Sequence, residues 1–98
     1  MNMQAMMKQV QSLQKDMLKA KKELDEKEFI GESSLVKITL FGSKNVKSVK
    51  IDKDSEFSYD DIDMLEDMIT IAFNDALKKI DAETEKKMGK FANIPGLF

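Results

Sequence analysis

LVKITLFGSKNVKSVKI, running from Leu35 to Ile51, sets Val36, Ile38 and Leu40 against Lys37, Thr39 and Phe41, then resumes with Val49 and Ile51 against Ser48 and Lys50. A period of two marks strands with one buried and one solvated face. Gly42, Ser43, Lys44 and Asn45 supply turn chemistry between the two runs, so the stretch reads as a β-hairpin. Upstream, Phe29 to Ser34 is a shorter strand candidate interrupted by Gly31. Residues 29–51 are expected to form a small antiparallel sheet. Its outer face would gather Lys37, Lys44 or Lys47, and Lys50, with very few acids to neutralise them. Phe41 shares parity with Lys37, which puts it on that face, exposed or at an interface.

On the N-terminal side, apolar residues fall at Met3, Met6, Val10, Leu13, Met17, Ala20 and Leu24, the alternating three-and-four spacing of a heptad seam. No Gly or Pro occurs between Gln4 and Lys27, and Gln, Lys, Met, Leu and Ala are good helix formers. Residues 1–28 therefore read as a helical arm of roughly 25 residues, ~37 Å long. Such a seam outruns the core of a small domain. It must lie against the C-terminal helix or against its counterpart in a second chain, and the sequence leaves both open. The methionines read as adaptable core filler.

On the other side, Asp52 to Ser58 is an acidic loop, and Ser58 with Asp61 resembles a variant capping box that opens a helix over residues 58–90. Asp60, Asp61 and Asp63 sit in its first turn, where the helix macrodipole favours negative charge. Leu65, Ile69, Ala72, Ala76 and Ile80 form one stripe, widened by Met64, Met68, Ile71 and Phe73, so this is the core helix. Residues 91–98 form a tail in which Pro95 and Gly96 accompany Phe91, Ile94, Leu97 and Phe98, apolar groups suited to docking. The expectation is one domain over residues 1–98.

Composition removes most chemistry. The chain has no Cys and no His, which excludes disulfides, thiolate nucleophiles, imidazole bases and the usual zinc ligand sets. No phosphate loop, nucleophile elbow or dinucleotide fingerprint occurs. Asp52, Asp54 and Glu56 resemble the start of a calcium loop, but Phe57 stands where the tight turn needs Gly and Asp63 stands in place of the terminal Glu. Loop solvation and helix capping account for the same residues. The chain reads as no enzyme, with no cofactor. No run approaches the ~18 apolar residues of a membrane span, and Met1 opens a polar amphipathic segment, so a cytoplasmic protein is expected.

The net charge of -2 conceals a segregation. Asp52 to Asp67 holds eight acids and one Lys, leaving the rest of the chain basic. On the first helix Lys8, Lys15 and Lys22 recur every seven residues, at the position opposite the seam, with Lys19 beside them. They make a basic stripe roughly 21 Å long, comparable with the width of a DNA duplex. Lys79, Lys86 and Lys90 repeat the offsets of Lys8, Lys15 and Lys19, with Lys87 adjacent. On most long helices such lysines are simply a solvated face.

Longer blocks resemble the YbaB/EbfC nucleoid-associated proteins of bacteria along nearly the whole chain. MKQVQSLQKDMLKAKKEL (Met7 to Leu24) looks like that family's first helix, and GESSLVKITLFGSKNVKSVKID (Gly31 to Asp52) is similar to its three-stranded sheet. LEDMITIAFNDALKKID (Leu65 to Asp81) is the most specific piece, its AFNDA (Ala72 to Ala76) being close to a family signature. PGLF (Pro95 to Phe98) is also of the family's kind. The resemblance implies a long helix, a three-stranded antiparallel sheet and a C-terminal helix, assembled as a tweezer-shaped homodimer whose arms embrace a duplex. It implies a cytoplasmic, nucleoid-located protein that binds and bends double-stranded DNA with little sequence discrimination and influences gene expression. Lys8, Lys15, Lys19, Lys22, Lys79, Lys86, Lys87 and Lys90 would then neutralise phosphates. The chain departs from the family in having no Arg, which removes Arg insertion into a narrow minor groove. The competing expectation is a protein-interaction module that docks a replication or repair partner through the seam, Phe41 or the apolar tail.

Overall fold

The computed structural model describes residues 2–91. Helix α1 (Met3–Glu26) is followed by strands β1 (Glu28–Ser33), β2 (Val36–Phe41) and β3 (Val46–Ile51), then by helix α2 (Ile62–Met88), giving an α+β architecture. Asn2 caps α1 by accepting the Gln4 N–H at 3.0 Å. At the start of α2 the Asp61 carboxylate reaches back to accept the Ser58 N–H at 2.9 Å. Tyr59–Asp61 and Gly89–Phe91 are tighter 3-10 turns flanking α2. The expected apolar tail beyond Phe91 lies outside the described residues.

The sheet has the order β1-β2-β3, both pairs antiparallel. The alternation read from the sequence is realised on β2, where Val36, Ile38 and Leu40 are almost wholly buried. They meet Ala72, Ala76 and Ile80 of α2, with Leu24 and Phe29 closing the core. Fully burying an aliphatic side chain of this kind contributes ~1.5–3 kcal/mol.

β1 departs from the sequence expectation. Gly31 does not interrupt it: the strand is continuous, with Gly31 paired to Ile38. A Cβ built on Gly31 would lie 2.0 Å from the Ala72 carbonyl oxygen and 2.5 Å from the Ala76 nitrogen. The glycine is there because strand and helix backbones touch at this point, and Ala72 and Ala76 are the small residues that permit the approach. Gly42 plays the same part between the hairpin turn and α1, its missing Cβ lying 1.8 Å from the Leu24 carbonyl oxygen.

α2 also takes up two backbone polar groups on the outer edge of β1. The Asp75 carboxylate accepts the Glu32 N–H at 3.1 Å, and the Lys79 ammonium donates to the Ile30 carbonyl at 2.7 Å. The Glu32 N–H above all holds the Asp75 carboxyl below its ordinary value; desolvation, the next largest influence, opposes it, and the Lys79 and Lys78 ammonium groups lower it further. A depressed carboxyl stabilises the fold above its unfolded-state value, and that stability is lost as pH falls through the folded value. Asp75→Asn should therefore melt lower than the parent at neutral pH, with the gap closing in acid below the usual Asp range. Thermal melts across that range check this, and a gap independent of pH would contradict it.

The two helices cross only partly. Lys27 lies 3.3 Å from Glu83, while Met17 shares a cavity wall with Met88, so α1 and α2 run antiparallel. The molecule measures 71 × 18 × 14 Å, and the N-terminal half of α1 projects as an arm. Of the seam, Leu24 is buried, Leu13, Met17 and Ala20 are half-buried, and Met3, Met6 and Val10 are exposed. Within one chain, α2 thus covers only the C-terminal part of the seam.

Candidate nucleic-acid interface

The helical period of α1 puts Lys8, Lys15, Lys19 and Lys22 on the face opposite Leu13, Met17 and Leu24, and all four are exposed. Among the described residues no carboxylate pairs with any of them, whereas the neighbouring Lys21 is held by Asp25 at 3.3 Å. Asp16 and Glu23 lie to one side of the stripe in the helical projection, and Glu26 follows Lys22 at its C-terminal end without pairing with it. The stripe is a row of unneutralised ammonium groups on a straight support, able to bind regularly spaced anions.

The C-terminal set is not equivalent to it. Lys79 pairs with Asp75 at 3.4 Å while donating to Ile30, and Lys87 lies 4.0 Å from Glu83 with its side chain two-thirds buried. Lys86 is exposed beside the cleft formed with Lys27, Glu28 and Phe29. The Lys90 ammonium stands 5.0 Å over the Phe91 ring. Among the described residues Lys86 and Lys90 have no carboxylate partner, while Lys79 and Lys87 are engaged.

The sheet face also differs from expectation. Lys37 is paired with Glu32 at 3.6 Å, Lys44 with Asp81 at 3.6 Å, and Lys47 with Glu28. Lys50 alone of the four has no ion pair among the described residues. The acids missing from β2 and β3 come from β1 and α2, so this face is close to neutral. Phe41 is half-buried there. In the acidic loop the Asp52 carboxylate accepts the Asp54 N–H at 3.0 Å and the Ser55 hydroxyl at 3.2 Å, an Asx turn that uses a residue of the calcium-like sequence for local structure. No helix among the described residues is long and apolar enough to cross a membrane.

Known proteins place this arrangement. The chain is 49% identical over 98 residues to a nucleoid-associated protein of Enterococcus faecalis, covering 97% of this chain and 93% of the relative. It is 44% identical to a nucleoid-associated protein of Ligilactobacillus salivarius, covering 99% and 95%. A nucleoid-associated protein of Clostridium novyi is 40% identical over the whole of this chain and 90% of the relative. A sequence model of the YbaB/EbfC DNA-binding family matches residues 1–94. With relatives at this identity and a match spanning helix, sheet and helix, the chain belongs to the YbaB/EbfC DNA-binding family.

Proposed function

We propose that the protein binds double-stranded DNA as a homodimer with low sequence specificity, bending or organising the nucleoid within the cytoplasm and influencing gene expression. The observation that carries this reading is the unneutralised stripe Lys8, Lys15, Lys19 and Lys22 on the projecting arm of α1. Lys86 and Lys90 extend the contact set. Lys79 and Lys87 contribute less, because each already has a carboxylate partner. Lysine is a point charge without the bidentate geometry that reads guanine, so these contacts position the duplex and leave its bases unread.

The dimer reading is supported by β3. Val46, Val49 and Ile51 pair with Leu40, Ile38 and Val36 and so share the core face of the sheet, yet they are 53%, 48% and 36% exposed. α2 packs on β1 and β2 and leaves β3 uncovered. A second copy placed there would continue the core across both chains.

Replacing Lys8, Lys15 and Lys22 together with Gln tests the DNA reading. Gln matches Lys closely in helix propensity, so circular dichroism and the oligomeric state should not change. DNA affinity should fall, and the slope of log K against log salt should shrink by roughly 0.9 per lost contact, about 2.7 per chain if all three engage phosphates. An unaltered slope and affinity would reject the stripe as the binding face. Apolar docking of a replication or repair partner would show little salt dependence.

A further inference from the structure

Among the described residues nothing covers the tip of the α1 seam. Met3, Met6, Met7 and Val10, with Gln11, line an open apolar cavity of about 370 Å³, and Met3 is 78% exposed. Farther along, the same face is occupied: Met17 shares a cavity wall with Met88, and Leu24 joins the core with Ile80. The first turns of α1 thus lack tertiary packing, and isolated helical turns are marginal in water.

The flanks of the seam favour one occupant. Identical surfaces bring identical charges together, so a helix face meets its own copy most readily where its flanks are neutral. From Met3 to Gln14 the only charged side chain is Lys8, on the opposite face, and the seam is flanked by Met7, Gln9 and Gln14. Beyond that point the flanking residues are Asp16, Lys21 and Glu23. The neutral stretch and the uncovered stretch therefore coincide.

The cover over the C-terminal half of the seam fixes the direction. In a parallel pair both α2 helices would claim the space between the two α1 helices, whereas antiparallel tips overlap with their bodies at opposite ends. Opposed macrodipoles also attract. Seam packing then sets Met6 against Val10 of the second copy and Met3 against its Leu13, an overlap of about 15 Å at ~1.5 Å per residue. Leu13 is the residue at which the seam becomes half-buried within one chain. With roughly 100 Å² exposed on each of four apolar side chains, a pair buries about 800 Å², short of the ~1,200 Å² of standing complexes. Such a contact is weak, and it fills where copies are crowded.

We propose that the tip of α1 binds the same tip of a second copy, antiparallel, through Met3, Met6, Met7 and Val10, as a contact separate from the β3 face. It goes beyond the DNA reading and the β3 dimer and rests on neither.

The absence of cysteine makes the register testable. Full-length Met6→Cys chain mixed with isotopically heavy Val10→Cys chain, under mild oxidation, should form the mixed disulfide at least ten times faster than Lys8→Cys chain links to itself, because Lys8 sits at the same level on the opposite face. Mixed links should also outnumber links between two copies of the same variant, which a parallel pair would favour. Equal rates, or a majority of same-variant links, would overturn the proposal. Independently, amide exchange of the parent over Met3–Val10 should slow at least about fivefold as protein concentration rises about a hundredfold, and the Met6→Asp chain should lose that dependence. Exchange independent of concentration in the parent, whether the tip is bare or covered by its own chain, would overturn the proposal even if the cysteine variants misfold. So would a dependence that Met6→Asp retains.

Discussion

Gly31→Ala is expected to destabilise the protein by roughly 3 kcal/mol or more, lowering the melting temperature by about 12 °C or more. The added methyl would sit 2.0 Å from the Ala72 carbonyl oxygen, and no rotamer relieves a clash between a Cβ and a backbone. β1 and α2 must separate, and the buried side chains Val36, Ile38, Leu40 and Ile80 lose contact as they do. A loss of this size is a large fraction of the ~5–15 kcal/mol typical of a domain. Gly89→Ala is the control, because among the described residues nothing lies within 4 Å of its Cβ position and its backbone is already right-handed helical at φ -58. That change should stabilise slightly, by about 0.4–1 kcal/mol, by restricting the unfolded chain. Thermal melts of both variants measure the contrast, and similar melting temperatures would refute the close approach of β1 to α2.

Val49→Asp is expected to abolish the proposed homodimer, weakening association more than about 100-fold, since an unpaired carboxylate in an apolar interface costs several kcal/mol. Within a single chain the residue is 48% exposed, so the carboxylate can stay hydrated. Light scattering should then report the 11.2 kDa chain mass in place of twice that value. DNA affinity should fall with it, because two arms on one particle gain by avidity what one arm cannot. A dimer that survives Val49→Asp would move the interface away from β3.

The long helix, the alternating hairpin and the stripe Ala72, Ala76 and Ile80 of α2 were legible because each is a local period, 3.5, 2 or 3.6 residues, written in consecutive side chains, whereas Met64 and Ile71, read as widening that stripe, are 55% and 56% exposed. Gly31 was misread as a break because a strand-ending glycine and a close-packed glycine look alike until the partner is known, and its partners Ala72 and Ala76 lie more than forty positions away. The same distance hid the neutralisation of the sheet face, where Lys47 meets Glu28 across the strands and Lys44 meets Asp81 on α2. The lysine stripe of α1 was fully legible, since a projecting helix keeps its sequence pattern as its surface pattern. On α2 Asp75 before Lys79 and Glu83 before Lys87 lie one turn away and are paired, whereas Glu23 after Lys19 and Glu26 after Lys22 on α1 have the same spacing and are not, so spacing alone did not tell engaged lysines from free ones. The role of Asp75 on the Glu32 N–H had no sequence signal.

The bonds from Asp75 and Lys79 to Glu32 and Ile30 also govern what the sheet can join. An unpaired strand edge is a template on which other chains add strands, and a sheet with two such edges can grow without limit. Here one margin has two of its polar groups, the Glu32 N–H and the Ile30 carbonyl, occupied by side chains from the protein's own helix. Strand addition is disfavoured on that side, and two copies meeting at β3 would leave these guarded margins outward. For a protein concentrated along a polymer, where neighbouring molecules are held close together, that one-sidedness separates a closed pair from runaway aggregation.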